Sequence, residues 1–182
     1  MSAARTVRKQ EILDAAAAVT AEHGYHGMSM RELARVTNQS LGNLYNYFPS
    51  KEDVLFELQA KAFETRCAAG EAATDLFAFV LDHVRFSAEN PLLMKVLVHE
   101  AGALPPEHRR IVRGLKERYF HLGEAVLRKA LGADVDPAEL ERVTWCLFGM
   151  LNWTWAWVDG SRESTEAVAR TIHRLVLEGG HP

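Results

Sequence analysis

Residues 29–51, which read SMRELARVTNQSLGNLYNYFPSK, decide the fold of this 182-residue chain. Ser29 and Glu32 have the spacing of a capping box, in which the hydroxyl and the carboxylate each bond a free amide at the start of a helix. The helix that they open is short, because its apolar periodicity ends near Val36. The stretch therefore begins with one short, well-capped helix.

A three-residue turn, Thr37-Asn38-Gln39, separates this helix from a second short one. The second helix is predicted from Ser40 to Tyr47, because Pro49 stops it. A longer amphipathic helix, predicted from Thr6 to His23 and stopped by Gly24, precedes the pair. Two short helices joined by a tight turn after a longer helix form the helix-turn-helix arrangement, whose second helix lies in the major groove of DNA.

The second short helix has an inner and an outer face. Leu41, Leu44 and Phe48 recur at helical spacing and are predicted to point inward. Asn43 and Asn46 fall outside this stripe, and each amide offers the donor and the acceptor that suit an adenine edge. The outer face is therefore a candidate surface for reading DNA.

Residues 12–55 resemble the DNA-binding domain of the TetR family of transcriptional regulators. The resemblance is carried by ILDAA (12–16), GY (24–25), SMRELA (29–34) and LGNLYNYFPSKEDVL (41–55). It implies a helix-turn-helix domain over residues 1–51 and a ligand-binding and dimerisation domain over residues 52–182. It also implies that the DNA contacts come from Ser29, Arg31, Leu41, Gly42, Asn43, Tyr45, Asn46, Tyr47 and Lys51. Gln39, in the turn before the second short helix, is added to them as a tenth candidate.

Gln39 and Leu41 differ from the other eight candidates. Gln39 departs from the family, which has a small apolar residue there, so Gln39 either loosens the turn or reaches DNA itself. Leu41 belongs to the core by periodicity and to the groove-facing surface by the family pattern.

The rest of the chain is predicted to be helical, which gives an all-α fold of about nine helices. The helix predicted from Pro137 to Val158, with Asp136 as its N-cap, is apolar on nearly every side and holds all four tryptophans. Such a helix needs cover on every side, so with the last helix, Arg162 to Glu178, it is predicted to form a four-helix bundle in a homodimer. TetR-like proteins dimerise in this way, and a monomer core is the alternative. The predicted interface residues are Leu147, Gly149, Leu151, Trp155, Val168, Ile172 and Leu175.

The middle helices carry aromatic, aliphatic and a few polar residues, which is the composition of a small-molecule pocket; plain core packing is the alternative. The predicted lining is Phe63, Phe79, His83, Phe86, Met94, Leu97, Tyr119, Phe120, Phe148, Asn152 and Trp153.

The stretch GMLNWTWAW (149–157) resembles a pattern of TetR-like regulators of fatty-acid, steroid-ring and acyl-CoA metabolism. The resemblance implies an apolar effector, an acyl-CoA or another apolar ligand, and the cations of EHRRIVR (107–113) would meet an anionic head.

The charge and the motifs exclude a polycation that coats nucleic acid and give no sign of an enzyme. The net charge is −3, yet the first 51 residues hold six Lys and Arg against four acids. No phosphate loop, nucleophile elbow or metal-ligand spacing occurs, so no catalytic residue, metal site or cofactor is predicted.

The sequence as a whole predicts a cytoplasmic, ligand-responsive transcriptional regulator, a repressor. Its predicted partners are operator DNA, an effector and a second copy of the chain, and not a membrane. A constitutive or architectural DNA-binding protein and a metal-responsive regulator are the alternatives.

Overall fold

The computed structural model describes residues 3–100 and 102–179. Within these ranges it contains nine α-helices, one short 3-10 turn and no strand, which confirms the all-α prediction. The helices are α1 Ala3–Gly27, α2 Met30–Val36, α3 Leu41–Tyr45, α4 Lys51–Ala72, α5 Leu76–Glu89, α6 Pro91–His99, α7 Pro106–Leu131, α8 Pro137–Leu151 and α9 Arg162–Gly179. None of the helices in this part of the chain has both the length and the apolarity needed to cross a bilayer.

The predicted capping residues begin the helices. The Ser29 hydroxyl accepts a hydrogen bond from the Glu32 amide at 3.2 Å and opens α2. The Asp136 carboxylate accepts one from the Glu139 amide at 3.0 Å, and Pro137 follows as the first residue of α8. Each cap satisfies an amide that the helix itself cannot bond, so these starts are fixed by local sequence.

The first helix is longer than predicted but breaks at the predicted residue. Gly24 has φ +71° and ψ 165° inside α1, a conformation that residues with a Cβ rarely adopt. The break frees the amide of Tyr25, which donates to Glu100 Oε1 at 3.0 Å. Gly24 therefore ends the regular part of α1, as the sequence indicated.

The predicted end of the Trp-rich helix is wrong. Helix α8 ends at Leu151, seven residues before Val158, and a 3-10 turn over Thr154–Ala156 follows. The Trp153 amide bonds the Met150 carbonyl three residues back, at 3.4 Å, and the Thr154 hydroxyl donates to the Leu151 carbonyl at 2.8 Å, so the backbone tightens from the α-helical to the 3-10 pattern. As a result, only Trp145 of the four tryptophans lies on α8.

The chain divides into two compact units. The first contains the residues up to Ala62 together with Leu92–Arg113, and the second contains Phe63–Pro91 and the chain from Gly114 onward. In the first unit Gln59 Nε2 donates to the Glu100 carbonyl at 3.2 Å, and Lys95 Nζ donates to the Ala21 carbonyl at 2.6 Å. The helix-turn-helix thus shares its unit with α6 and the first residues of α7. The predicted domain boundary after residue 51 stays a prediction.

Candidate DNA-binding face and candidate effector core

The turn between α2 and α3 is as tight as predicted. Asn38 adopts a left-handed backbone, φ +52°, which Asn tolerates better than most residues. The Gln39 amide then bonds back to the Ala34 carbonyl at 2.8 Å. The turn therefore holds α3 at a fixed angle to α2.

Helix α3 rests on two fully buried side chains, Leu44 and Phe48. Leu41 is half-buried, which agrees with its mixed assignment as a core and surface residue. The helix covers only Leu41–Tyr45, shorter than predicted, because Asn46 already caps its end. A helix of this length is held by packing rather than by its own propensity.

The residues implied to contact DNA all keep accessible surface. Ser29, Arg31, Gly42, Asn43, Tyr45 and Asn46 are exposed, and Gln39, Leu41, Tyr47 and Lys51 are half-buried. They surround the outer side of the helix-turn-helix, so the first unit offers one polar face with several amides, hydroxyls and cations. Their contacts with DNA remain predictions.

Gln39 contacts another residue of this face. Its side-chain carbonyl accepts a hydrogen bond from Asn43 Nδ2 at 2.7 Å. Since that bond engages the amide nitrogen of Asn43, the Oδ1 of Asn43 points away as a free acceptor in this orientation. Gln39 therefore fixes the Asn43 amide, a role for the residue that departs from the family pattern.

Lys51 begins α4 and is held by an aromatic ring. Its ammonium lies 4.5 Å from the centre of the Tyr25 ring, within cation–π range. The Tyr25 hydroxyl donates to Glu52 at 2.8 Å, and burial together with this bond raises the pKa of Tyr25. The ring stays neutral and keeps the Lys51 cation beside the first turn of α4.

Sequence reasoning did not include Arg5 in the face. Its guanidinium donates to the Asn46 carbonyl at 2.8 Å and lies 4.9 Å from the centre of the Tyr47 ring. Arg5 precedes the predicted start of the first helix, so no periodicity pointed to it. The cation adds positive charge beside α3.

The second unit has an aromatic cluster at its centre. The Phe79 and Tyr119 rings stack with centres 5.1 Å apart. The Phe148 ring meets Tyr119 edge-on at 5.5 Å and stacks on Phe120 at 5.3 Å. At Gly123 an added Cβ would lie 2.8 Å from the Phe148 ring, so only glycine fits there. Four residues of the predicted pocket therefore belong to one cluster of rings, in which each contacts at least one other.

A polar cluster is buried among these rings. His83 Nδ1 lies 3.0 Å from the Tyr119 hydroxyl, which also accepts a weak hydrogen bond from Arg66 at 3.5 Å. Arg66 forms an ion pair with Asp82. Burial, and then the charge of Arg66, lowers the pKa of His83 to about 3, and burial raises the pKa of Tyr119 to about 12. The imidazole and the phenol are therefore both neutral at pH 7.

Arg66 was missed by the sequence analysis. The residue is 4% exposed, and its guanidinium lies 4.6 Å from the centre of the Phe86 ring. Its position was the available signal, because it continues the buried stripe of Leu58 and Ala62 on α4 at steps of four residues.

The remaining predicted lining residues are distributed over both units. Phe63, Phe86 and Asn152 are half-buried in the second unit, and Trp153 is exposed there. Met94 and Leu97 are buried in the first unit. The structure thus brings together only the part of the predicted pocket that lies around His83 and Tyr119.

The predicted dimer residues also separate into two groups. Leu147, Leu151 and Ile172 are buried in the core of their own protomer and have almost no surface to offer a partner. Gly149 and Leu175 are exposed, while Trp155 and Val168 are half-buried. Trp145, which was not predicted, is 61% exposed on α8. The surface that a partner could cover is therefore centred on Trp145, Gly149 and Leu175.

No group of three or more His, Cys, Asp or Glu side chains that could hold a metal ion occurs among residues 3–100 and 102–179. In α1 the His23 Nε2 lies 3.8 Å from a Glu22 carboxylate oxygen and 3.7 Å from one of Glu32.

Relatives cover this chain to different extents. The KstR transcriptional repressor of Rhodococcus jostii is 40% identical over 63 residues, which are 35% of this chain and only 30% of that repressor's length. The fatty acid metabolism regulator of Bacillus subtilis is 24% identical over 94% of both chains. The chain thus spans less than a third of the first relative and nearly all of the second.

Two solved structures share the fold. The TetR family regulator PfmR of Thermus thermophilus superposes with a TM-score of 0.80 at 31% identity, over 94% of this chain and 99% of PfmR. AibR, solved with isovaleryl coenzyme A and operator DNA, superposes with a TM-score of 0.77 at 22% identity, over 93% of this chain and 98% of AibR.

Family models account for most of the chain. The model described as bacterial regulatory proteins, tetR family, fits residues 12–58, and the model described as tetracyclin repressor-like, C-terminal domain, fits residues 69–180. The first contains the helix-turn-helix and the second contains the aromatic cluster and α9. The chain therefore belongs to the TetR family of bacterial regulatory proteins.

Proposed function

We propose that this protein is a transcriptional repressor that binds a near-palindromic operator as a homodimer and releases it when a small apolar effector, an acyl-CoA, binds. The observation that carries the proposal is the polar outer face of α3, which stands on the fully buried Leu44 and Phe48. An exposed face with fixed amides and cations suits a DNA groove, where base edges and phosphates offer matching groups. The site of action is then the bacterial cytoplasm, which holds the chromosome.

Two side chains of this face are expected to act differently on DNA. Lys51→Ala removes a cation that we assign to phosphate, so affinity should fall for all sequences alike. The slope of log affinity against log salt should flatten by about 0.9 per half-site. Asn43→Ala removes a base contact, so it should relax base preference at one position per half-site, by roughly 1–3 kcal/mol if the contact is bidentate.

Selection of binding sites from random duplexes, followed by fluorescence anisotropy at several salt concentrations, measures both effects. Gln39→Ala is a companion variant, since it frees the Asn43 amide without removing it, and it should give part of the Asn43→Ala change. A selection that enriches no sequence with the unaltered protein would contradict specific operator binding.

The homodimer is proposed to form through the exposed residues of α8 and α9. Leu175→Asp should split it, because a buried carboxylate without a partner costs several kcal/mol. Gly149→Asp should act in the same way, since a Cβ added at Gly149 would have no atom of the protomer within 4 Å and its side chain would enter the proposed interface. Neither change should unfold the protomer.

Sedimentation velocity at micromolar concentration distinguishes the two states. Gly114→Asp is the matched control, because Gly114 is equally exposed and open on α7 but lies away from the proposed interface. An unaltered protein that sediments as a monomer at this concentration would contradict the dimer.

The effector is assigned to the second unit. Its aromatic cluster supplies the apolar contacts, and the neutral polar groups at His83 and Tyr119 supply specificity, which is the usual composition of a ligand site. The AibR structure contains isovaleryl coenzyme A and operator DNA, and the full-length relative from Bacillus subtilis is a regulator of fatty acid metabolism. Both support an acyl-CoA for this chain.

Titration of acyl-CoAs of graded chain length against a preformed protein–DNA complex tests the assignment. One range of lengths should release the DNA and change tryptophan fluorescence at the same concentrations, because an effector shifts an equilibrium only by its differential affinity for the two states. If no acyl-CoA has either effect, the protein is better described as a constitutive DNA-binding protein.

A further inference from the structure

Two buried nitrogens beside the aromatic cluster lack a hydrogen-bond partner. They are Arg66 Nε and His83 Nε2, and they belong to residues that are 4% and 3% exposed. Buried polar atoms are almost always bonded, because an unmet donor or acceptor in a low-dielectric interior loses its hydration without compensation. Both residues contact the Tyr119 hydroxyl through their other nitrogens, so the two unpartnered atoms belong to one buried cluster that can bind a further group.

The hydrogen bonds around Tyr119 determine what these nitrogens offer. A guanidinium can only donate, so the Tyr119 oxygen accepts from Arg66. The phenolic proton needs an acceptor of its own, and His83 Nδ1 at 3.0 Å is assigned that role. A neutral imidazole that accepts at Nδ1 carries its own proton at Nε2. Both unmet groups are therefore N–H donors, and the missing partner is an acceptor.

The charge balance restricts that acceptor further. The charge of Arg66 is compensated by Asp82, and His83 and Tyr119 are neutral. A carboxylate bound here would add a negative charge that no group of the cluster balances, at a high cost in the interior. A carbonyl oxygen accepts the same hydrogen bonds without that cost.

We propose that Arg66 and His83 form a binding site for a neutral carbonyl oxygen of the effector, such as that of a thioester, ester or ketone. The proposal deepens the effector assignment above and rests on it. It also predicts which part of an acyl-CoA enters the core, since its carbonyl, and not a phosphate, meets the buried arginine.

A pair of ligands that differ only in the carbonyl tests the proposal. S-octyl-CoA has the alkyl chain and nucleotide of octanoyl-CoA, with a methylene in place of the carbonyl. Calorimetric titration of the 182-residue protein should show that octanoyl-CoA binds roughly tenfold more tightly than S-octyl-CoA, the effect of about one buried hydrogen bond. Methyl octanoate should likewise bind more tightly than octanoate at pH 8.

Arg66→Lys keeps the positive charge beside Asp82 and removes Nε–H, so it should reduce the preference for octanoyl-CoA over S-octyl-CoA to about threefold or less. The ratio of the two affinities is the measured quantity, and near-ultraviolet circular dichroism reports separately that the variant is folded. Arg118→Lys is the matched control, because Arg118 is an exposed arginine of the same unit that pairs with Glu71. It should keep the full preference.

If Arg66→Lys does not fold, the ¹⁵N resonance of His83 Nε2 in the unaltered protein gives a second measurement. It should shift with octanoyl-CoA and not with S-octyl-CoA. Equal affinity for the two CoA compounds would overturn the carbonyl site and leave the acyl-CoA effector intact. Tighter binding of octanoate than of its methyl ester would overturn the preference for a neutral group. Failure of all four compounds to bind would contradict the effector assignment as well.

Discussion

Lowering the pH from 7 to 4.5 is expected to cost the protein about 2–3 kcal/mol of stability through His83 alone. Burial lowers the pKa of this imidazole to about 3 in the folded protein, from an ordinary value of 6.5. The unfolded chain takes up a proton near pH 6.5 and the folded chain does not until about pH 3. The free energy of unfolding therefore does not depend on the His83 proton above about pH 6.5, and it falls as the pH drops from 6.5 toward 3.

Urea unfolding at pH 7 and pH 4.5, followed by circular dichroism, measures this loss. His83→Gln should remove it, because glutamine can still accept from the Tyr119 hydroxyl but cannot take up a proton. Carboxylates with lowered pKa values, such as Asp75, also contribute below pH 4.5, and the difference between the two proteins cancels them.

His121→Gln provides the control, since the His121 side chain is 72% exposed. It should retain the full pH dependence. A His83→Gln protein whose stability falls with pH as steeply as that of the unaltered protein would show that His83 is not buried in its neutral form.

Replacing Phe48 with alanine is expected to destabilise the first unit by about 3–5 kcal/mol, the usual cost of truncating a buried aromatic side chain. Phe48 is completely buried, and the Lys9 ammonium lies 5.2 Å from the centre of its ring. Because α3 has only five residues, it depends on this packing for its position. The variant should lose operator binding together with thermal stability.

Tyr45→Ala separates reading of DNA from folding. Tyr45 is on the same helix but is 45% exposed, so its removal should weaken operator binding while the melting temperature stays within a few degrees. Differential scanning calorimetry and anisotropy on both variants give the comparison. Equal losses of stability in Phe48→Ala and Tyr45→Ala would contradict the division of α3 into an inner and an outer face.

The sequence was sufficient where a helix boundary has a local cause. Ser29 and Asp136 cap the predicted helices because each places a side-chain oxygen three residues before a free amide. Gly24 breaks α1 because no other residue tolerates its backbone conformation. The family resemblance added the identity of the outer face around Asn43, which periodicity alone could not separate from an ordinary solvated surface.

The sequence was insufficient where tertiary contacts decide. Helix α8 ends at Leu151 and a 3-10 turn over Thr154–Ala156 follows, although the apolar pattern continues for a further two turns. Arg66 looks like a surface arginine until Asp82, Phe86 and Tyr119 are known to surround it. For the same reason Leu147 was assigned to a partner chain, when neighbouring helices of its own protomer already cover it.

The bonds that tie the helix-turn-helix to α6 and the start of α7 bear on the design of hybrid repressors. The Tyr25 amide and the Gln59 side chain both bond Glu100, and the Phe56 ring stacks on His108 at 4.1 Å. A graft of residues 1–51 onto another effector domain would leave these partners behind. A DNA-binding module that is to be transferred into an engineered sensor must therefore include residues up to Ala62. The recipient protein must then supply contacts equivalent to those of Glu100 and His108.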